Sequence, residues 1–166
     1  PEPAVELIAG MLTGQQWDSL LDGAVQAGVT RIVPFVQTGK DAARAEARRE
    51  RSERIIDAAA RQAKRRIVPS LADAIDASAL AAMPAGLLCL ESAQDVPALM
   101  DVVRNAPGHE PIRLLIGPAA GLDTDLVAQR VGSGWQAESL GPTVFRSELA
   151  AAVAVAIAST ARPTAT

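Results

Sequence analysis

Two glycine-proline corners and a short polar triplet, all in the last third of the chain, have residue types able to do chemistry. The run LLIG ends in Gly117 and Pro118, and ESLG ends in Gly141 and Pro142. Glycine lets a ligand approach the main chain closely, and proline fixes the loop that follows. Such corners can make a binding surface out of backbone groups. After the second corner, Arg146, Ser147 and Glu148 open an alanine-rich helix. A guanidinium can stabilise an anion that develops during a reaction, and a carboxylate can accept or relay a proton. The same triplet fits a helix N-terminus, with Ser147 as cap and Glu148 placed favourably against the helix dipole. Each glycine corner equally fits a plain turn.

The elements that must position these residues alternate between strand and helix patterns. Residues 4–12 predict a strand, and 16–26 a helix with Trp17, Leu20, Leu21, Ala24 and Val25 at helical spacing, ended by Gly28. A second strand follows over 30–36, then one long charged helix over 42–64 whose apolar residues gather at Ile55, Ile56, Ala59, Ala60 and Ala63. Residues 66–71 predict a short strand, 73–82 a helix, 87–92 a buried strand, and 96–105 a helix started near Asp95. Strand 112–117, helix 123–131, strand 135–141 and a last helix over 146–159 complete the series. This alternation implies an α/β domain with a mainly parallel sheet flanked by helices. The last helix is apolar nearly all round, so it needs cover from the core or from a second subunit. One domain is expected over 1–160, with a disordered tail over 161–166.

With 166 residues, 49% of them hydrophobic, the chain can bury a sizeable single core. Its net charge is −3, and no apolar run approaches the roughly 18 residues that span a bilayer, which argues against a membrane protein and a generally basic nucleic-acid coat. No secretory signal is visible, and the expected compartment is the cytoplasm. Cys89, the lone cysteine, reads as a small core residue within LLCLES. His109 lies between turn formers in NAPGHEP and reads as a solvated loop residue. One cysteine and one histidine leave no donor set for zinc or haem, and no metal is expected. The aromatic residues are Trp17, Trp135, Phe35 and Phe145, too few rings for a domain whose main work is stacking bases. No phosphate loop or dinucleotide fingerprint is present to favour an unrelated nucleotide-binding protein.

Charge is distributed unevenly. Residues 40–66 hold ten of the 16 Lys and Arg residues but only five acids, Asp41, Glu46, Glu50, Glu53 and Asp57, a local balance of about +5. That segment fits either a face that tracks phosphates or a solvated helix laced with ion pairs one turn apart.

The order of several motifs carries a resemblance. Gly117, Pro118, Ala119, Ala120 and Gly121 follow one strand, Leu140 and Gly141 end the next, and Phe145, Arg146, Ser147, Glu148, Leu149 and Ala150 open a helix. Upstream, Gln62 is followed by Arg65 and Pro69, while Gly28 and Pro34 stand in LLDGAVQAGVTRIVPFV. These pieces resemble the RsmE family of ribosomal RNA uridine methyltransferases, of the SPOUT class. The family's first loop reads Gly, Pro, Glu, Gly, Gly, so Ala119 and Ala120 replace a carboxylate and a glycine. Its third element reads Leu, Arg, Thr, Glu, Thr, Ala. There Arg146 and Glu148 are kept, Ser147 is conservative, and Leu149 removes a hydroxyl. Ala58 and Arg61 stand where the family has acids before its glutamine, and Gln26 replaces its usual Glu.

The resemblance covers about residues 5–158 and implies a C-terminal trefoil knot. It implies S-adenosylmethionine bent among the knot loops, its adenine held largely by main chain. The implied cofactor contacts are Leu90, Glu91, Ile116, Gly117, Pro118, Gly121, Ser139, Leu140, Gly141, Val144, Phe145, Arg146 and Ser147. Gln62, Arg65 and Arg66 are the implied RNA contacts, and Arg146 and Glu148 the implied catalytic pair. The implied reaction is methylation of a uridine ring nitrogen in small-subunit ribosomal RNA, by a homodimer packed through the knot and the C-terminal helix. Members of the family carry an N-terminal β-barrel, and this sequence begins where the methyltransferase domain would begin. The substitutions at Ala119 and around Gln62 keep a second reading open, a degenerate, non-catalytic knot-fold paralogue that binds RNA or a protein partner.

Overall fold

The computed structural model describes residues 4–90, 95–107 and 110–161. Six strands form one sheet: β1 (Val5–Gly10), β2 (Arg31–Phe35), β3 (Ser70–Leu71), β4 (Leu87–Leu90), β5 (Ile112–Ile116) and β6 (Gln136–Ser139). Their order is β3-β2-β1-β5-β4-β6, and every pairing is parallel. The helices are α1 (Gly14–Ala27), α2 (Gly39–Ala47), α3 (Arg49–Gln62), α4 (Ala77–Ala82), α5 (Leu99–Asn105), α6 (Thr124–Gly132) and α7 (Ser147–Thr160). The expected α/β architecture is therefore present.

A parallel sheet is buried on both faces, and its central strands read as continuous apolar runs for that reason. One face carries Leu7, Ile32, Cys89 and Leu114 against α1, α3, α5 and α7; the other carries Ile8, Val33, Leu88 and Leu115 against Leu80, Leu126 and Trp135. Glu6 ties the middle of the sheet together, because it pairs in register with both Arg31 and Arg113. Its carboxylate accepts from Arg113 Nε at 2.5 Å and lies 3.3 Å from Arg31 Nε.

The expected helix over 42–64 is two helices, broken at Arg48 with φ −100° and ψ 0°. The break frees α3 to turn its Ser52, Ile56, Ala59 and Ala60 stripe onto α1, while α2 buries nothing. Buried Trp17 donates from Nε1 to Ser52 Oγ at 3.0 Å, and Asp18 accepts from Arg48 and Arg51. Burial alone would raise the Asp18 carboxyl, but those two guanidiniums outweigh it and hold the group below its ordinary value.

Other boundaries also moved. The strand expected over 66–71 shrinks to two residues at the edge of the sheet, and Ile67 and Val68 are exposed. The helix expected from residue 73 begins at Ala77, since Ile75 pairs with Phe35 and the Asp76 side chain caps by accepting from Ala79 N. The helix expected from 96 begins at Leu99, because the Pro97 carbonyl accepts from Ser139 N and Ala98 pairs with Ser139. Arg146, not Ser147, holds the N-cap position of α7, with no side-chain cap bond. The last helix finds cover inside the domain: Ala150, Ala151, Ala154, Val155 and Ala158 are buried against the common core. Ala161 closes α7, and the rest of the expected tail lies outside the described residues, as does His109.

One contact decides how the C-terminal edge of the sheet is built. A Cβ on Gly10, the last residue of β1, would lie 2.3 Å from Pro118 N and 2.5 Å from Pro118 Cδ. The end of β1 and the Gly117-Pro118 corner therefore touch backbone to backbone. Gly10→Ala must push that corner away, and we expect a loss of about 1–3 kcal/mol in urea unfolding. An unchanged midpoint would show that the corner yields at no cost.

Candidate functional site

Because all strands run the same way, the loops after β4, β5 and β6 emerge at one edge of the sheet. Ligands of open parallel sheets bind beyond the carboxyl ends of the strands, and a cavity of about 330 Å³ lies there. Its floor is Cys89 and Leu90 from β4, and Ile116 and Gly117 from β5 with its loop. Gly121, Leu122, Thr124 and Val127 form one wall, and Leu140, Gly141, Thr143, Phe145, Ser147 and Ala150 the other. The lining is aliphatic, with hydroxyls at Thr124, Thr143 and Ser147.

Local bonds hold both glycine corners. Gly121 N donates to Pro118 O at 2.8 Å, closing a turn in which Gly121 has φ +81°. Gly141 has φ +125°, and its N–H donates to Ser139 Oγ at 3.1 Å. A Cβ at either position would meet nothing within 4 Å, so the main chain there is open to a ligand, and the φ values exclude most side chains. Asp123 caps α6 at the cavity wall by accepting from Asp125 N and Leu126 N.

A scan with family models matches residues 1–159 to the RNA methyltransferase domain. The chain belongs to that family. Ribosomal RNA small subunit methyltransferase E from Neisseria gonorrhoeae, solved bound to S-adenosyl methionine, is similar at 28% identity with a TM-score of 0.80. That likeness covers 93% of this chain and 64% of that one. A Legionella pneumophila protein solved in complex with bound SAM shares the fold at 21% identity and a TM-score of 0.85, over 97% of this chain and 67% of its own. The RNA methyltransferase domain thus spans about two thirds of the length of these solved proteins. The comparison with curated proteins finds no match.

Within this RNA methyltransferase domain, Leu90, Ile116, Gly117, Gly121, Leu140, Gly141, Phe145 and Ser147, all expected as cofactor contacts, line the cavity. Pro118, Ser139, Val144 and Arg146 do not line it. Pro118 and Ser139 brace the two corners, while Val144 and Arg146 are exposed outside. Glu91 lies outside the described residues. Glu148 is half-buried in the first turn of α7, three residues after the cavity-lining Phe145. Gln62 and Arg66 are exposed, and Arg65 donates from Nη1 to the carbonyls of Val25 (3.2 Å) and Val29, so it seals the end of α1.

The sequence reading missed Glu138. It is fully buried, and neither carboxyl oxygen has a hydrogen-bond partner among the described residues. Strand register sets it beside Cys89, on the face that also carries Leu140. Burial pushes its carboxyl up to about 8 and, with Glu138 beside it, pushes the Cys89 thiol well above its usual range. Only a strand position with the side-chain alternation of Cys89 and Leu140 signals this in the sequence.

A carboxyl whose value rises on folding keeps a proton that the unfolded chain releases. Stability therefore falls as pH rises from about 4.5, its ordinary value, to about 8. We expect denaturant melts of the wild type to show this loss and Glu138→Gln to flatten it. Equal losses in both proteins would mean that Glu138 is ionised in the native state.

Proposed function

We propose that this domain binds S-adenosylmethionine in the cavity and methylates a uridine ring nitrogen of small-subunit ribosomal RNA. The observation that carries the reading is the apolar cavity walled by two open glycine corners, in a chain of the RNA methyltransferase domain family. The residues present fit the group: Leu90, Ile116, Leu122, Val127, Leu140 and Phe145 offer apolar contact for a purine, and the main chain at Gly121 and Gly141 offers hydrogen bonds. When bound, the cofactor supplies an electrophilic methyl on a positively charged sulfonium.

The protein's part is to hold the ligand and manage the uridine proton. A uridine ring nitrogen loses its proton only well above neutral pH, so an unaided transfer is slow. Arg146 is exposed at the rim, between the cavity-lining Phe145 and Ser147, and forms no ion pair with a described residue. A guanidinium there stabilises the developing uridine anion. Glu148, two residues on, accepts or relays the proton. Gln62 and Arg66 lie exposed where a basic loop can meet RNA, with Arg65 fixing that loop through the α1 carbonyls. The reading also includes a C-terminal trefoil knot, supported by insertion of β5 between β1 and β4 and return of α7 onto the same core. Val144 and Leu149, 63% and 51% exposed beside the cavity, support a homodimer packed through this region and α7. Ribosomal RNA places such an enzyme in the cytoplasm; no helix among the described residues is long and apolar enough to cross a membrane.

Ala119 and Ala120 favour a second reading, because the loop beside the cavity lacks a carboxylate. In that case the domain is a non-catalytic paralogue that binds RNA or a protein partner.

Calorimetric titration separates these outcomes. We expect S-adenosylmethionine to bind in the micromolar range and Gly141→Val to abolish binding, and no binding near millimolar ligand sinks the enzyme reading. Arg146→Ala should bind the cofactor as the wild type does, while methyl incorporation into a ribosomal RNA fragment falls about 100-fold or more. Unchanged incorporation removes Arg146 from the mechanism. Cofactor binding without any incorporation by the wild type favours the non-catalytic reading.

A further inference from the structure

Glu138 has no place in the reaction described above, and its surroundings are unusual for an acid. Its side chain leaves β6 on the same sheet face as Cys89, its register partner, and Leu140, two residues along. Both of those residues line the cavity. Glu138 does not itself line the cavity; it sits behind these two lining residues, fully buried and with neither carboxyl oxygen partnered among the described residues. Charged groups near this face do not neutralise it. Asp101 and Arg104 of α5 are exposed, Arg146 is exposed at the start of α7, and Glu148 is half-buried and of the same sign. Arg130, the buried cation of α6, lies one turn from Leu126 on a helix that packs against the opposite face of the sheet. Cys89 stays a neutral thiol.

A buried carboxyl without a cation is costly to ionise, and a cation delivered into the cavity on the other side of Cys89 and Leu140 lowers that cost. We infer that Glu138 is a specificity residue that distinguishes a positively charged sulfonium ligand from its neutral thioether counterpart. The inference rests on the reading that the cavity takes S-adenosylmethionine. In the ligand-free protein burial without a partner favours the protonated form of Glu138. Entry of the sulfonium draws that proton off to solvent and leaves a carboxylate that faces the ligand's charge across Cys89 and Leu140. Transfer of the methyl turns the sulfonium into an uncharged thioether, and the carboxylate takes a proton back. The site then favours substrate over product by the charge alone.

S-adenosylmethionine and S-adenosylhomocysteine share the same adenosine, amino and carboxyl groups and differ in this charge and one methyl. We expect the wild type to prefer the sulfonium ligand by about tenfold or more in calorimetry, the low end of measured charge-pair couplings. Glu138→Gln and Glu138→Met should bring that ratio close to unity while changing S-adenosylhomocysteine affinity less than about threefold. A wild-type ratio near unity, or variants that keep the wild-type ratio, overturns the role of Glu138. If neither variant melts cooperatively, the wild type decides: titration at pH 7 in two buffers of different ionisation enthalpy should show proton release with S-adenosylmethionine and none with S-adenosylhomocysteine. Equal proton release with both overturns the inference. Wild-type protein that binds neither ligand overturns the cofactor reading and this inference with it, whereas binding of both at an unchanged ratio overturns the inference alone.

Discussion

The Gly117-Pro118 corner exists in its observed place because β1 ends in a residue without a side chain. Gly10 lies so close to Pro118 that a single methyl would overlap the backbone. The loop after β5 therefore passes close over the end of β1, runs exposed through Ala119 and Ala120, and returns to the cavity at Gly121 and Leu122. Leu122 then becomes wall, and α6 starts at a fixed point under its Asp123 cap. The Glu6 bridges to Arg31 and Arg113 act on the same strands from their other ends, so β1, β2 and β5 cannot slide relative to one another. A one-residue slip would move every apolar side chain to the wrong face, and both faces of this sheet are core.

The two corners and the helix after them were legible because tight turns with positive φ, as at Gly121 and Gly141, leave glycine in the sequence. Strand positions were equally legible where burial on both faces produced runs such as LLIG and LLCL. What stayed hidden depends on contacts distant in sequence. Gly10 sits in a strand pattern with nothing local to separate it from an ordinary strand end, and its neighbour Pro118 is far along the chain. The break at Arg48 follows from Asp18, which recruits Arg48 and Arg51 from the other helix. A charged stretch with continuous helical propensity carries no local mark of that pull. Glu138 was hidden for the opposite reason. Its neighbours read as a short strand with polar residues, and only its alternation with Leu140 hints that its side chain faces the core.

The basic segment shows how poorly net charge reports on a partner. Its arginines are mostly committed: Arg44 to Asp41, Arg48 and Arg51 to Asp18, Arg49 to Glu53 and Asp73, Arg54 to Glu50, and Arg61 to Asp57. Several of these pairs are exposed and contribute little stability each. They nonetheless compensate the charge locally, so α2 and α3 present a mixed surface, not a positive field. Lys40, Lys64 and Arg66 form no ion pair among the described residues, and the last two flank Arg65 in the loop ahead of β3.

The cavity combines two features that usually exclude each other, an aliphatic lining and an adjacent carboxyl. An apolar wall favours the flat, neutral part of a ligand through area removed from water. The same wall raises the cost of any charge beside it, which is why Glu138 holds its proton so firmly. Neither feature alone selects one ligand state over another: an apolar slot holds charged and uncharged forms of a molecule through the same purine contacts, and a solvated acid would discriminate weakly because water screens it. Placed together, the low polarity that penalises the lone carboxylate strengthens its attraction for a cation in the same space. Selectivity for charge then comes from the apolar walls as much as from the acid, and replacing a wall residue such as Leu140 with a polar one would weaken it even with Glu138 intact.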